Sequence, residues 1–297
     1  DFMIYKDKVG FIRFDNRKYE NFMGKFFRFI RKICVKVEVE NTEKGLIFLI
    51  PKYENYTGFF MKKIQKQIKK QIDKNKISEL IVDKSVGIVP KKRTNQILKK
   101  SIFKIIEYIF RKNGENTNLE NIYVLVNKYN KQNIYVIKKL VEMFKTVNII
   151  TQDIKHYQIL EKKFFEQGIL ITISNNKRKG IRNAKYIINI DFDKNEIIEY
   201  NIYSESIILN ISEQFINIEK GFNGILINDF EIQINEDNEE FINEFYGNID
   251  KKQYLENELK MFQINTEYID EFYKMYNAKI TYLIGVRGRL QDSEFCH

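Results

Sequence analysis

The chain contains few of the residues that usually mark a covalent framework or a chemical site. Its 297 residues include no Trp, two Pro, two Cys and two His. The two cysteines, Cys34 and Cys296, are too few for a disulfide framework, and no Cys or His pair has the spacing of a zinc site. We therefore expect a reducing compartment, the cytoplasm, and no metal. No Ser/His/Asp or Cys/His motif occurs either, so the catalytic residues, if any, are unknown.

Long apolar runs are also absent. No segment reaches the roughly 18 consecutive apolar residues that a spanning helix requires, and the first residues lack the pattern of a cleavable signal peptide. We expect neither secretion nor membrane insertion. With 43% hydrophobic residues, the chain can bury a full core and is long enough for two domains.

Positive charge is concentrated in the first part of the chain. Residues 1–113 contain 28 Lys or Arg and 12 Asp or Glu, a net charge of +16, whereas the remaining residues carry −6. A basic surface favours an anionic partner such as nucleic acid, although no nucleic-acid motif accompanies it. The opposite charges of the two regions also favour a homo-oligomer or a protein partner.

The pattern of apolar residues predicts an α/β protein with a parallel sheet. β-Branched runs at residues 122–126, 147–151, 169–173 and 186–190 alternate with helical patterns, and residues 206–211 supply a fifth strand. We predict a basic α/β domain over residues 1–115 and the parallel-sheet domain over 116–235. An acidic helical extension over 236–297 is expected to pack back on these domains.

The first strand-to-helix turn of the parallel sheet contains no glycine. Its sequence, residues 127–133, is NKYNKQN, whereas a dinucleotide pyrophosphate needs small residues there for close approach to the backbone. Asn127, Asn130 or Asn133 could replace glycine by adopting the left-handed conformation. The other interpretation, which we favour, is a connector that binds no dinucleotide.

Two further positions could contribute to a nucleotide or anion site. Asp153 lies 26 residues beyond Asn127, near the spacing of an acid that binds the ribose of NAD, but it could equally be a helix N-cap. After the third strand, a polar and cationic run could hold a phosphate at a helix N-terminus, or could be solvated surface. That run is Ser174, Asn175, Asn176, Lys177 and Arg178.

Two helices of the N-terminal part have faces that invite alternative interpretations. A helix predicted at residues 17–29 carries an apolar stripe that resembles a membrane-surface helix, but we favour packing against a core. The stripe consists of Phe22, Phe26, Phe29, Ile30 and Ile33. The lysine-rich residues 62–72 could follow a phosphate backbone, but a solvated face over a narrow packed stripe is favoured. Cys34 is predicted to lie in a buried strand.

Residues 148–153, 160–164, 167–169 and 184–190 together resemble the cofactor domain of shikimate dehydrogenases and glutamyl-tRNA reductases. The resemblance covers about 70 residues and implies a Rossmann-like fold with NAD(P) as the cofactor. The glycine turn of those families is missing here, and no counterpart of their catalytic Lys and Asp motifs occurs. The fold alone is carried over.

These observations favour a non-catalytic or regulatory binding protein built on a degenerate Rossmann-like fold. One alternative is an NAD(P)-dependent oxidoreductase with an atypical phosphate-binding turn. Another is a nucleic-acid-associated protein that uses its basic N-terminal surface.

Overall fold

A computed structural model describes most of the chain, namely residues 8–15, 17, 22–34, 36–42, 45–52, 58–83, 86, 95–218, 221–237, 239–240, 242, 251–261, 264 and 266–295. The chain forms two compact units. The first comprises residues 1–97 and 234–279, and the second comprises residues 98–233 and 280–297. The domain boundaries predicted at residues 115 and 235 stay predictions.

The two units contain twelve described strands and nine described α-helices. The strands are β1 (Lys8–Phe14), β2 (Glu38–Thr42), β3 (Gly45–Ile50), β4 (Ile77–Val82), β5 (Asn121–Leu125), β6 (Thr146–Ile150), β7 (Ile171–Ser174), β8 (Tyr186–Asn189), β9 (Ile207–Asn210), β10 (Ile225–Ile227), β11 (Asp229–Gln233) and β12 (Lys279–Ile284). The helices are α1 (Phe22–Cys34), α2 (Gly58–Asn75), α3 (Gln96–Lys100), α4 (Ile102–Asn113), α5 (Lys131–Met143), α6 (Ile154–Glu166), α7 (Lys194–Ile198), α8 (Lys251–Met261) and α9 (Ile269–Met275).

The first unit is built on a four-stranded mixed sheet in the order β2-β3-β1-β4. β1 is parallel to β3 and β4, and β2 pairs with β3 in the antiparallel sense, as the expected hairpin requires. One face of the sheet packs on α2, whose Ile64 and Ile68 share a core with Ile12 and Phe48. Every residue of β3 from Leu46 to Ile50 is buried, so both faces of the sheet are covered. The lysines of α2 are exposed around that narrow packed stripe.

α8 contacts the edge strand β4 of the same sheet. Gln253 Nε2 donates to the carbonyl oxygen of Leu80 at 3.1 Å. Farther along α8, the Glu256 carboxylate accepts the N–H of Ile97 at 3.1 Å. The acidic C-terminal helices therefore belong to the first unit through contacts between residues far apart in sequence.

α1 does not pack as the sequence analysis favoured. The side chains of Phe22, Phe26, Phe29 and Ile30 are exposed, because the sheet of the first unit is already covered on both faces. The expectation of core packing was wrong for these residues, and the side chain of Ile33 lies outside the described set. Cys34 is exposed at the end of α1, so its predicted place in a buried strand was also wrong.

The second unit contains a six-stranded parallel sheet in the order β10-β9-β8-β5-β6-β7. Counted from its first strand, this is the order 3-2-1-4-5-6 of a doubly wound dinucleotide fold. The predicted Rossmann-like α/β class is confirmed. All residues of β8, β9 and β10 are buried, as in a parallel sheet covered on both faces.

Three details of the second unit differ from or refine the predicted elements. Residues 177–183 form turns, so the helix predicted between β7 and β8 is absent from this described segment. Ser101 separates α3 from α4, although apolar residues continue at helical spacing across both helices. Gly114 ends α4 in the left-handed conformation with φ 66°, as expected for a C-terminal glycine.

The end of the chain returns to the second unit through β12, which pairs with β11 in a two-stranded sheet. Residues 90–94, Cys296 and His297 lie outside the described residues. No helix in the described ranges is long and apolar enough to cross a membrane.

Candidate functional site

The carboxyl edge of the six-stranded sheet opens into a cleft between the turns that follow β5, β8 and β9. The cleft has a volume of about 320 Å³, which is sufficient for a small ligand. β5 and β8 are neighbours in the sheet although β6 and β7 separate them in sequence. The strand order reverses between β5 and β8, and ligands of open parallel sheets bind at such a point. The cleft is therefore the candidate functional site.

Charged side chains of both signs line the cleft, but most of them already have partners. Lys99 Nζ lies 3.5 Å from a carboxylate oxygen of Glu213. Asp193 accepts the N–H of Glu196 at 2.9 Å and thereby caps α7. The Lys128 ammonium has no ion-pair partner within the described part of the chain. Lys128 is thus the charged group of the cleft that can pair with a ligand.

The Asp191 carboxylate occupies the backbone donors of the first strand-to-helix turn. The N–H of Asn127 donates to Asp191 Oδ1 at 2.6 Å, and the N–H of Lys128 donates to Oδ2 at 2.8 Å. In a dinucleotide-binding unit, N–H groups of this turn face the pyrophosphate. Here an acidic side chain of the protein itself accepts both hydrogen bonds, which charge strengthens.

The side chain of Asn127 ties three turns together at the sheet edge. Its Nδ2 donates to Glu196 Oε1 at 2.7 Å, and its Oδ1 accepts the N–H of Gln152 at 2.8 Å. Asn127 was predicted as a cofactor ligand. In the structure its amide is engaged with protein groups from the turns after β6 and β8.

The turn is closed without glycine and without left-handed residues. Asn130 Oδ1 accepts the N–H of Asn133 at 2.9 Å and caps α5, while Asn133 Nδ2 donates to the Lys128 carbonyl at 2.8 Å. Among described non-glycine residues, positive φ occurs at Lys76 and Asn277 and at no position of this turn. The hypothesis that Asn127, Asn130 or Asn133 adopts the left-handed conformation was therefore wrong. Asn130 does line the cleft.

Aromatic side chains hold the same turn against α6. The Tyr129 ring stacks on His156 with centroids 5.5 Å apart and meets Tyr157 edge-on at 5.3 Å. The Tyr157 hydroxyl donates to the Lys128 carbonyl at 3.1 Å. Burial, the largest cause, raises the pKa of the Tyr157 phenol well above its usual range. Tyr157 is therefore a neutral hydrogen-bond donor that supports the turn.

Asp153 lies at the N-cap position of α6, in agreement with one of its two predicted roles, but its side chain makes no cap hydrogen bond. Both carboxylate oxygens instead contact His156 Nδ1, at 2.7 and 2.8 Å. The ribose-binding role predicted for Asp153 stays a prediction. Asp153 does not belong to the lining of the cleft.

In the loop after β7, which was predicted as an anion site, backbone N–H groups donate hydrogen bonds to side chains of the loop itself. Asn176 Oδ1 accepts the N–H groups of Arg178 and Lys179, each at 3.0 Å, and Ser174 Oγ accepts the N–H of Asn176 at 3.1 Å. Because turns follow this loop, the helix N-terminus expected beside it is not present, and that expectation was wrong.

The remaining side chains of this loop face solvent or a surface carboxylate. Lys177 pairs with Glu199 at 2.5 Å, with both side chains about half exposed, and Asn175 is exposed. The hydrogen bond to Glu199 raises the pKa of Lys177. No residue from Ser174 to Arg178 lines the cleft, so the loop is a separate surface feature.

Three buried asparagines at the ends of β8, β9 and β10 form a ladder that was not predicted. Asn189 Nδ2 donates to Asn210 Oδ1 at 2.9 Å, and Asn210 Nδ2 donates to Asn228 Oδ1 at 2.7 Å. None of the three is accessible to solvent. The same amides bond the backbone of the segments after β8 and β9, at Phe192, Gln214 and Ile216. The ladder thus positions the turns that form one wall of the cleft.

A signal for the ladder and for Asp191 is present in the sequence. Three of the strands end with apolar residues followed directly by Asn, as YIIN, IILN and ILIN. Asn has a low propensity for strand interiors, so its repetition at the carboxyl ends points to a common role. Asp191 follows the strand that neighbours β5, which places an acid at the switch point.

No protein-family model matches the chain, and no curated protein is similar enough to count as a relative. Among solved structures, L-tryptophan dehydrogenase from Nostoc punctiforme is similar at 13% identity over 93% of this chain and 81% of that one, with a TM-score of 0.31. Ligand-free aspartate transcarbamoylase from Trypanosoma cruzi is similar at 12% identity over 68% and 70%, with a TM-score of 0.26. Likenesses this distant assign no activity to the chain.

Proposed function

We propose that this protein is a non-catalytic binding protein whose Rossmann-like unit receives a small anionic ligand, and not a dinucleotide, at the switch-point cleft. The observation that carries the proposal is the pair of hydrogen bonds from the N–H groups of Asn127 and Lys128 to Asp191. A pyrophosphate would have to displace this carboxylate and would meet its negative charge.

The composition of the cleft supports a small ligand with an anionic group. Lys128 supplies a cation that no described carboxylate pairs with, and the amides of Gln132 and Gln214 lie in the same lining. Three carboxylates also line the cleft, but Asp191 and Asp193 accept backbone hydrogen bonds and Glu213 pairs with Lys99. Lys128 beside the amides therefore suits a small carboxylate or phosphate with further hydrogen-bonding groups. The lining offers no cluster of metal-ligating groups among the described residues.

Thermal shift and calorimetry with a defined set of anions test the proposal. The probes are inorganic phosphate, acetate, and NAD, NADH, NADP and NADPH, each at about 1 mM, because ligands that bind only the folded state raise Tm by mass action. We expect stabilisation by a small anion and none by the dinucleotides. Lys128→Ala should abolish the effect. Lys131→Ala, an exposed lysine outside the cleft lining, should retain it.

Two outcomes would contradict the proposal. Saturable binding of any of the four dinucleotides would favour the alternative, an NAD(P)-dependent oxidoreductase of the shikimate dehydrogenase kind with an atypical phosphate-binding turn. Stabilisation that is equal in the Lys128→Ala and Lys131→Ala variants would show that the anion acts away from the cleft.

A further inference from the structure

Helix α1 exposes a continuous set of large apolar side chains. Phe22 is 82% exposed and Phe29 is 60% exposed, and the other apolar residues described in this helix are exposed as well, namely Met23, Phe26, Phe27 and Ile30. Soluble proteins rarely leave so large an apolar patch in water, and such patches mark interaction surfaces. Both faces of β3, a central strand of the first unit's sheet, are buried while these side chains of α1 remain exposed.

The sequence of α1 separates apolar and cationic positions completely. At about 100° per residue, the apolar positions fall within an arc of about 160°, and the cationic positions fall within the remaining arc. The cationic positions are Lys25, Arg28, Arg31 and Lys32. No acidic residue occurs in the helix. An occupant of this surface must therefore offer an apolar layer flanked by negative charge.

We propose that α1 lies in the interface of an anionic lipid bilayer, with its phenylalanines among the acyl chains and its cations at the headgroup phosphates. A bilayer with anionic lipids supplies both the apolar layer and the negative charge along the whole helix. The 13 residues of α1 span about 20 Å, less than the hydrocarbon thickness of about 30 Å. The helix therefore lies on the membrane and does not cross it.

Charge also distinguishes a bilayer from a second copy of this chain. Pairing the apolar arcs of two α1 helices would cover the phenylalanines but would leave the cations of both helices, which lie on the opposite arc, without an acidic partner in either helix. The first unit, which carries α1 together with the acidic C-terminal helices, contains 28 Lys or Arg and 22 Asp or Glu, a net charge of +6. This net positive charge attracts the protein to a negatively charged surface, where α1 inserts its apolar side chains.

The absence of Trp from the chain allows a specific spectroscopic test on the full protein. Phe26→Trp places a single indole on the exposed apolar arc of α1. We expect its emission to shift to shorter wavelength with phosphatidylcholine vesicles that contain about one third phosphatidylserine, and much less with phosphatidylcholine alone. Phe165→Trp is the matched control, since Phe165 is 72% exposed on α6 and should show no shift.

Co-sedimentation with the same vesicles measures how much the apolar arc and the cationic arc of α1 each contribute to membrane binding. The double variant Phe26→Ser/Phe29→Ser should weaken partitioning by about tenfold or more, because two exposed apolar groups are lost. Lys25→Gln should weaken it by about fivefold, and added salt should reduce that difference. Phe165→Ser and Lys155→Gln, exposed residues of α6, should bind as the parent protein does.

The proposal is overturned if Phe26→Trp shows no shift with anionic vesicles, or if Phe165→Trp shifts equally. It is also overturned if the parent protein is an oligomer that Phe26→Ser/Phe29→Ser converts to a monomer, since α1 would then be covered by a second copy. Unchanged circular dichroism of the variants shows that the fold is retained. Because α1 belongs to the first unit, failure here leaves the ligand proposal for the cleft intact.

Discussion

Replacement of Asn210 by Ala removes the central member of the asparagine ladder. The Asn210 amide nitrogen donates to the Gln214 carbonyl at 2.8 Å and to Asn228 Oδ1 at 2.7 Å. Its oxygen accepts from Asn189 Nδ2 at 2.9 Å and from the Ser212 hydroxyl at 2.7 Å. The side chain is completely buried, so water cannot replace these partners without rearrangement.

We expect Asn210→Ala to lower the free energy of unfolding by about 3–4 kcal/mol. Each lost hydrogen bond contributes about 1 kcal/mol net, and a buried group left without a partner costs about 1–3 kcal/mol. The total loss of stability is smaller than the sum of these costs over all partners, because Asn189 keeps its hydrogen bond to the Phe192 carbonyl and Asn228 still accepts the N–H of Ile216. A loss of this size is a large fraction of the roughly 5–15 kcal/mol that stabilises a typical protein.

Urea unfolding followed by circular dichroism measures this change, with a midpoint expected to fall by about 1 M or more. Asn201→Ala, at an exposed position of the same unit, is the matched control and should change the midpoint little. Asn210→Asp keeps the size of the side chain but removes both donors, and should destabilise at least as strongly as Ala. If Asn210→Ala stayed within about 0.5 kcal/mol of the control, the ladder would contribute no net stability.

Three other predictions concern the same unit. Asp191→Ala leaves two backbone N–H groups of the first turn without their acceptor and should cost about 1–3 kcal/mol in urea unfolding; a neutral result would contradict the structural role of the carboxylate. Burial raises the pKa of the phenols of Tyr157 and Tyr186, so the folded protein retains protons that the unfolded chain releases. Their contribution to stability should therefore be complete below pH about 10 and fall as the pH rises above it, and the absorbance titration should include these two phenols among those that ionise late. Gly114→Ala forces a Cβ into the left-handed conformation at the end of α4 and should cost about 1 kcal/mol, whereas Gly114→Asn should cost less.

The strands of the parallel sheet could be predicted because each is a short β-branched run bounded by polar residues. The rules for right-handed crossovers reduce the possible pairing orders to a few but do not select the observed order. The helix expected between β7 and β8 was wrong because side-chain hydrogen bonds from Ser174 and Asn176 close the backbone into turns. Such local bonds compete with helix formation and are hard to weigh from sequence.

The packing of α1 could not be predicted from its own pattern. An apolar stripe at helical spacing normally faces a core, but whether a core face is free depends on the other elements. Here α2 covers one face of the sheet and α8, which comes more than 200 residues later than α1, contacts β4. The sequence of α1 contains no information about which other helices pack on the sheet.

The turn after β5, which the sequence analysis considered for cofactor binding, borders the cleft, but most of the cleft residues lie elsewhere. Asn130 lines the cleft, and its predicted role in cofactor binding stays a prediction. Asp191 and the asparagine ladder were missed because their roles arise from strands that are adjacent in space and distant in sequence. Only the strand order 3-2-1-4-5-6 brings Asp191 to the donors of Asn127 and Lys128.

The division of each unit between two segments of the chain has a consequence for its synthesis. β1 to β4 are complete by Val82, but Glu256, which accepts the N–H of Ile97, is separated from it by 159 residues. At a translation rate of about 5–20 residues per second, that interval lasts roughly 10–30 s. During this time the nascent first unit lacks the contacts that α8 makes with β4 and with Ile97.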